Sequence, residues 1–274
     1  MTIKSSNRTV VNIIGIPGIL SLIWIGGPLF GVFISIVILL ASREFLVITC
    51  DNNQGYLKWL TYIGGLGFCY FYYFLPDWNA LHILLFSTLF VIAAFLTEIF
   101  KTTSNPTRNL SVNFFCILYV GGLLSTLIGL RNFDTLHSTY FTLIMILSIW
   151  ICDSAAFYFG SKWGRNKILP SISPKKSWVG CIAGFISSFI FYGAVTYLHF
   201  LEISMEEMCI IAIITGIFGQ IGDFSESLIK RNAGVKDSGT LLLGHGGVLD
   251  RFDSLIFAAP LTFMYCNYFI EIGQ

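Results

Sequence analysis

Phe141-Thr142-Leu143-Ile144-Met145-Ile146-Leu147-Ser148-Ile149-Trp150-Ile151-Cys152 carries no charge, and the residue that follows it is Asp153. With its flanks the stretch extends over about 138–159, close to the roughly 20 apolar residues that a helix needs to cross a hydrocarbon layer at 1.5 Å of rise each. Comparable stretches lie at about 10–26, 28–50, 58–75, 80–100, 110–130, 178–200, 207–229 and 254–272. The whole chain of 274 residues is 55% hydrophobic and 11% charged, against roughly 25% charged residues in a soluble domain. That much apolar surface cannot be buried in one globular core, and little length is left for a separate soluble domain. The fold class read from these stretches is all-α: a polytopic integral membrane helical bundle of about nine transmembrane helices. An N-terminal transmembrane region of about five spans covers 1–137, and a C-terminal region of about four spans covers 138–274.

Charge placement tests the count. Nine spans put alternate connections on opposite sides, and basic residues favour the cytoplasmic side. With the N-terminus inside, the inner connections hold Lys4, Arg8, Arg43, Lys58, Lys101, Arg108, Lys162, Arg165, Lys167, Lys175, Lys176, Lys230, Arg231, Lys236 and Arg251, and only Arg131 falls outside. The outer connections carry Asp77, Asp134, Glu202, Glu206 and Glu207. Two long polar segments, 160–177 and 230–253, then face the cytoplasm. A net charge of +1 gives no sign of a nucleic-acid partner. The seven cysteines sit singly in or beside apolar stretches and read as small packing residues.

A carboxylate at bilayer depth costs at least about 2.5–3.5 kcal/mol, so each one needs a partner, a cavity or a metal. Arg43 with Glu44, and Glu98 with Lys101, read as interfacial pairs that anchor helix ends. Asp153 has no neighbouring base, and a bond between helices or a substrate role suits it equally. The densest intramembrane polarity is Gly219-Gln220-Ile221-Gly222-Asp223-Phe224-Ser225-Glu226-Ser227-Leu228-Ile229-Lys230-Arg231. At 3.6 residues per turn, Asp223, Glu226 or Ser227, and Lys230 share a face that must line a cavity or a protein interface.

The segment after that helix contains Lys236-Asp237 and then Gly244-His245-Gly246-Gly247-Val248-Leu249-Asp250-Arg251-Phe252-Asp253. Phosphate oxyanions need cationic side chains and free backbone N–H groups, and Gly246-Gly247 lets backbone approach them. Divalent cations that handle phosphates prefer carboxylate oxygens. Asp223 and Asp250 are the favoured ligands, with Glu226 and Asp253 as second choices; caps for the last helix are the competing reading for Asp250 and Asp253. In the other loop, Ser173-Pro174-Lys175-Lys176-Ser177 is stiff and basic, as a fixed phosphate clamp would be.

Ser227-x-x-Lys230-Arg231-x4-Lys236-Asp237, followed by His245-Gly246-Gly247-x-x-Asp250-Arg251-x-Asp253, resembles the signature of the phosphatidate cytidylyltransferase (CDP-diacylglycerol synthase) family. The likeness extends to Asp153, Ser173–Ser177 and Gly222-Asp223-x-x-Glu226-Ser227, and so covers roughly 150–255. Leu243 stands where the family usually has Pro or Gly, and Val179 where it usually has Glu. The resemblance implies that CTP and phosphatidate react to give CDP-diacylglycerol and pyrophosphate, with Mg²⁺ required and a monovalent cation beside it left open. It implies catalytic roles for Asp223, Asp250, Lys230, Arg231 and His245. Substrate binding would fall to Lys175, Lys176, Ser177, Ser227, Lys236, Asp237, Gly246, Gly247 and Arg251. The partners are CTP, phosphatidate and membrane lipid, with a homodimer left open, and the setting is a bacterial inner membrane with the site on its cytoplasmic face. A CTP-dependent polyprenol-type kinase, an isoprenoid ether-lipid cytidylyltransferase and an ion-coupled transporter are the rival readings.

Overall fold

A computed structural model describes residues 3–50, 57–74, 80–101, 105–133, 137–201, 203–241 and 246–269. Within these residues each of the nine apolar stretches falls on one helical rod: α1 (Ile3–Ile25), α2 (Gly27–Thr49), α3 (Leu57–Phe74), α4 (Ala80–Lys101), α5 (Pro106–Asn132), α6 (Ser138–Trp163), α7 (Trp178–Tyr197), α8 (Met205–Asn232) and α9 (Leu249–Phe269). Five of them, α2, α5, α6, α7 and α8, are long and apolar enough to cross a membrane on length and composition alone. No strand is assigned among the described residues, only an isolated antiparallel bridge between Lys167 and Ser177. The protein is a polytopic helical membrane protein, and its outer surface is accordingly apolar: Leu81, Leu84, Leu89, Ile99 and Phe100 on α4 all face outward.

Local chemistry accounts for four of the nine helix starts. Pro28 and Pro106 occupy first-turn positions of α2 and α5, where a missing N–H costs nothing. Ser177 caps α7, its Oγ accepting from Gly180 N at 3.3 Å. Ser204 and Glu207 form a reciprocal capping box on α8, with Glu207 Oε2 accepting from Ser204 N at 2.6 Å.

Gly26 alone separates α1 from α2, at φ 64°. Besides that backbone conformation, a Cβ there would strike the Arg131 guanidinium at 2.6 Å. Arg131 donates to Ile23 O at 2.7 Å and to Trp24 O at 3.3 Å, covering the carbonyls that end α1. This explains the one basic residue that charge placement put outside: its charge is spent on the negative end of a helix.

Two rods contain a π turn, Ile117–Gly122 in α5 and Ile214–Phe218 in α8. Neither is legible in the sequence. In α5 the wider turn brings Gly121 against Gly65 of α3, where an added Cβ would lie 2.8 Å from the Gly65 Cα. In α8 it immediately precedes the polar Gly219–Asn232 half, and the extra residue resets which face that half presents.

The buried core is continuous across the two regions. Phe30, Ile34 and Phe45 from α2 and Leu124, Leu127 and Ile128 from α5 join one cluster with Met145 of α6, Ile211 of α8 and Ile256 of α9. Helices α6 and α7 approach closely at their glycines: a Cβ on Gly180 would lie 2.6 Å from Ala156 O. All seven cysteines are free.

Candidate active site

The polar halves of α6, α7, α8 and α9 enclose a cavity of about 630 Å³ at one end of the bundle. That size lies within the range of small-molecule sites, roughly 300–1,000 Å³. Its acids are Asp153 from α6, Asp223 from α8, and Asp250 and Asp253 from α9; its bases are Lys167, Lys175, Lys176 and Arg251. Ser161, Ser177 and Gln220 add neutral polar groups, while Ala156, Phe157, Gly160 and Gly180 make one wall apolar.

The 164–177 connection is folded rather than loose. Ile168 N donates to Lys176 O at 3.3 Å and Trp178 N to Asn166 O at 3.1 Å, while Lys167 Nζ donates to Gly164 O at 3.0 Å and Lys175 O at 3.3 Å. This framework presents Lys176, whose Nζ meets Asp223 Oδ2 at 2.5 Å and lies 4.1 Å from the centre of the Phe224 ring. Ser227 Oγ donates to the other Asp223 oxygen at 3.5 Å.

Asp250 is the most heavily bonded acid of the site. Lys230 Nζ reaches its Oδ1 at 2.6 Å, Gly247 N donates to Oδ2 at 2.7 Å, and Ser238 N donates to Oδ1 at 3.2 Å and Oδ2 at 3.0 Å. Lys230 also pairs with Glu226, which is fully buried. Asp250 thus pins both ends of the loop described through Leu241 and again from Gly246 to the first turn of α9.

Glu44 was read as one of an interfacial charge pair, and the structure corrects that reading. It is buried at 8% exposure against the start of α9: Oε1 accepts from Val248 N, and Oε2 from Leu249 N and Ser238 Oγ, each at 2.9 Å. Glu98 is likewise buried and accepts from Asn109 Nδ2 of α5 at 3.2 Å; the side chain of Lys101, its expected partner, lies outside the described residues. The sequence signal for Glu44 was indirect. A helix beginning at Leu249 follows Gly246-Gly247-Val248, which offers no capping side chain, so an acid from elsewhere had to serve.

Of the residues expected in the site, Lys175, Lys176, Ser177, Asp223, Asp250, Arg251 and Asp253 line the cavity. Asp153, left between two roles, lines it too. Glu226, Ser227 and Lys230 lie behind the lining, buried. Arg231 turns to the backbone instead: Nε donates to Ile172 O at 3.1 Å and Nη1 to Val235 O at 2.7 Å, tying the two polar loops together. Lys236 and Asp237 are exposed on the loop and are not among the lining residues. Gly246 and Gly247 contribute backbone around Asp250. His245 and Leu243 lie outside the described residues, and Val179, exposed on the first turn of α7, is not part of the lining. Gln220, Lys167 and Ser161 line the cavity without having been singled out.

Among the described residues no three acidic, histidine or cysteine side chains gather tightly enough to hold a metal ion by themselves. Four carboxylates around one cavity still suit a hard cation of the kind that is held by one or two protein acids and completes its shell with water and substrate phosphates.

Comparison with known proteins identifies the architecture. A family model described as the cytidylyltransferase family matches residues 6–269. A phosphatidate cytidylyltransferase of Staphylococcus aureus is 32% identical over 265 residues, 93% of this chain and 96% of that protein. Proteins of the same name from Haemophilus influenzae and Staphylococcus haemolyticus are 34% identical over 175 residues and 40% identical over 152. These matches take in 61% and 54% of this chain, and the chain spans 60% and 56% of the length of those two relatives.

Proposed function

Because the chain belongs to the cytidylyltransferase family, we propose that it transfers the cytidylyl group of CTP to phosphatidate, forming CDP-diacylglycerol and releasing pyrophosphate. The observation that carries this reading is one cavity in which acids from three helices face Lys167, Lys175, Lys176 and Arg251 beside an apolar wall. A phosphate oxygen of phosphatidate attacks the α-phosphorus of CTP, a new P–O bond forms there, and the bond to the β-phosphate oxygen breaks as pyrophosphate leaves. The lipid phosphate is already an anion at neutral pH, so no strong general base is required.

The protein's part is alignment and charge neutralisation. Lys175 and Arg251 hold phosphate oxygens at the rim, and Lys176, on a flexible stem, turns from Asp223 to a phosphate when substrate arrives. Lys230 stays with Glu226 and Asp250 and fixes the loop, and Arg231 holds the loops together. Ser177 orients the start of α7. Phe157 and Ala156 receive the first methylenes of the acyl chains, whose remainder stays in the bilayer. Mg²⁺ would be held by two of these acids, Asp223 with Asp250 or Asp253, and would supply charge neutralisation to the phosphates. His245 would orient a phosphate or act as an acid. The cavity would face the cytoplasm of a bacterial inner membrane, the side on which the basic residues fall.

The test is product analysis with labelled CTP and phosphatidate in detergent micelles, with and without EDTA. CDP-diacylglycerol with equimolar pyrophosphate is expected, abolished by EDTA and restored by Mg²⁺. Asp223→Asn should lower kcat by at least about 100-fold, the cost of several kcal/mol of lost charge stabilisation. Release of CDP with a phosphorylated lipid would instead make the protein a kinase.

A further inference from the structure

The carboxylate of Glu44 comes from the second helix of the N-terminal region, some two hundred residues from the groups it binds. It accepts the first N–H groups of α9 from Val248 and Leu249 and the hydroxyl of Ser238. Ser238 in turn gives its backbone N–H to Asp250. One residue therefore carries a bond to each acid. Gly247 fits between them: a Cβ there would collide with Ser238 Oγ and the Glu44 carboxylate. Glu44, Ser238 and Gly247 do not themselves line the cavity, and Asp250 is the member of the arrangement that does.

We infer that Glu44 is a positioning residue for the active site, acting as a cap supplied by a distant helix that sets α9 and the Ser238 segment in place and thereby aims Asp250, Arg251 and Asp253 into the cavity. A helix start buried without acceptors loses its register, because its first N–H groups have no intrahelical partners. Asp250 of α9 accepts from Gly247 N, which leaves Val248 N and Leu249 N to Glu44, and a carboxylate offers both charge and several lone pairs to three donors at once. Its negative charge also sits at the positive end of the α9 dipole. The N-terminal region then helps to position the site through this one side chain of α2. The inference rests on the cytidylyltransferase reading for its activity arm, though not for its structural arm.

Glu44→Gln keeps shape and loses charge, and it turns an N–H₂ group toward donors that need an acceptor. Two readouts decide the matter on protein whose elution volume and thermal midpoint match the wild type. First, kcat at saturating CTP and phosphatidate should fall about 10–100-fold, as for supporting partners of other sites. Second, amide hydrogen exchange in peptides covering 246–253 should speed up while α6 and α7 peptides stay unchanged. Ser238→Ala, which removes one of the three donors, should cost less, and in the Glu44→Gln background it should add almost nothing; it also serves if Glu44→Gln fails to fold. Turnover within about twofold of wild type, or unchanged exchange over 246–253, would overturn the proposal. Should wild-type protein make no CDP-diacylglycerol, the activity reading fails, and the exchange experiment still decides the role of Glu44.

Discussion

At the scale of single residues, the site is governed by which acids are already engaged. Asp223 holds one ammonium, that of Lys176, and a hydroxyl at 3.5 Å, whereas Asp250 holds Lys230 and two backbone N–H groups. The first pair can open for a phosphate, while the second also ties the loop to the start of α9. Gly247 exposes this difference. Its Cβ would have to displace the Ser238 hydroxyl and the Glu44 carboxylate, both of them buried. Gly247→Ala should therefore cost about 1–3 kcal/mol, the usual penalty for overpacking, seen as a lowered thermal midpoint together with lost turnover. Gly193 on α7, where an added Cβ would meet nothing within 4 Å, is the contrasting position.

At the scale of elements, each of the nine helices could be found from apolar stretches, because bilayer thickness imposes one length on all of them. The end caps at Ser177 and Ser204 use local side chains, although Ser177 stood out only for a substrate role and Ser204 was not singled out. What could not be read were contacts whose donors are backbone groups of another helix, such as those of Glu44, and the π turns of α5 and α8, which leave no compositional mark. The lysine pair at 175–176 stood out by its Pro-stiffened setting and lines the cavity, yet the backbone attachments of Arg231 left no mark in the sequence. Arg131 belongs to this hidden class. It covers the last carbonyls of α1, and Gly26 and Arg131 sit at the end of α2 opposite to Glu44. Arg131→Met should leave those carbonyls unsatisfied at a cost of about 1–3 kcal/mol. A thermal midpoint lowered by several degrees, with turnover at low temperature within twofold of wild type, would verify a role confined to stability.

At the scale of the whole molecule, the two regions share a core and meet at α2 and α9, so the cavity cannot be assigned to the C-terminal helices alone. Its lining has a property that no single residue shows. Four carboxylates, at 153, 223, 250 and 253, stand against four bases, at 167, 175, 176 and 251. The balance of formal charges is neutral. A triphosphate docking unaccompanied would leave a strongly anionic interior, and a metal cation alone would leave a cationic one. Nucleotide and cation must consequently be heterotropic partners, each raising the other's affinity by the same factor, since such coupling is reciprocal. Calorimetric titration of CTP at zero and saturating Mg²⁺, and of Mg²⁺ at zero and saturating CTP, should give equal ratios of dissociation constants, of at least about tenfold for a coupling in the usual range. Ratios near one would mean that the lining does not do its accounting of charge in this way.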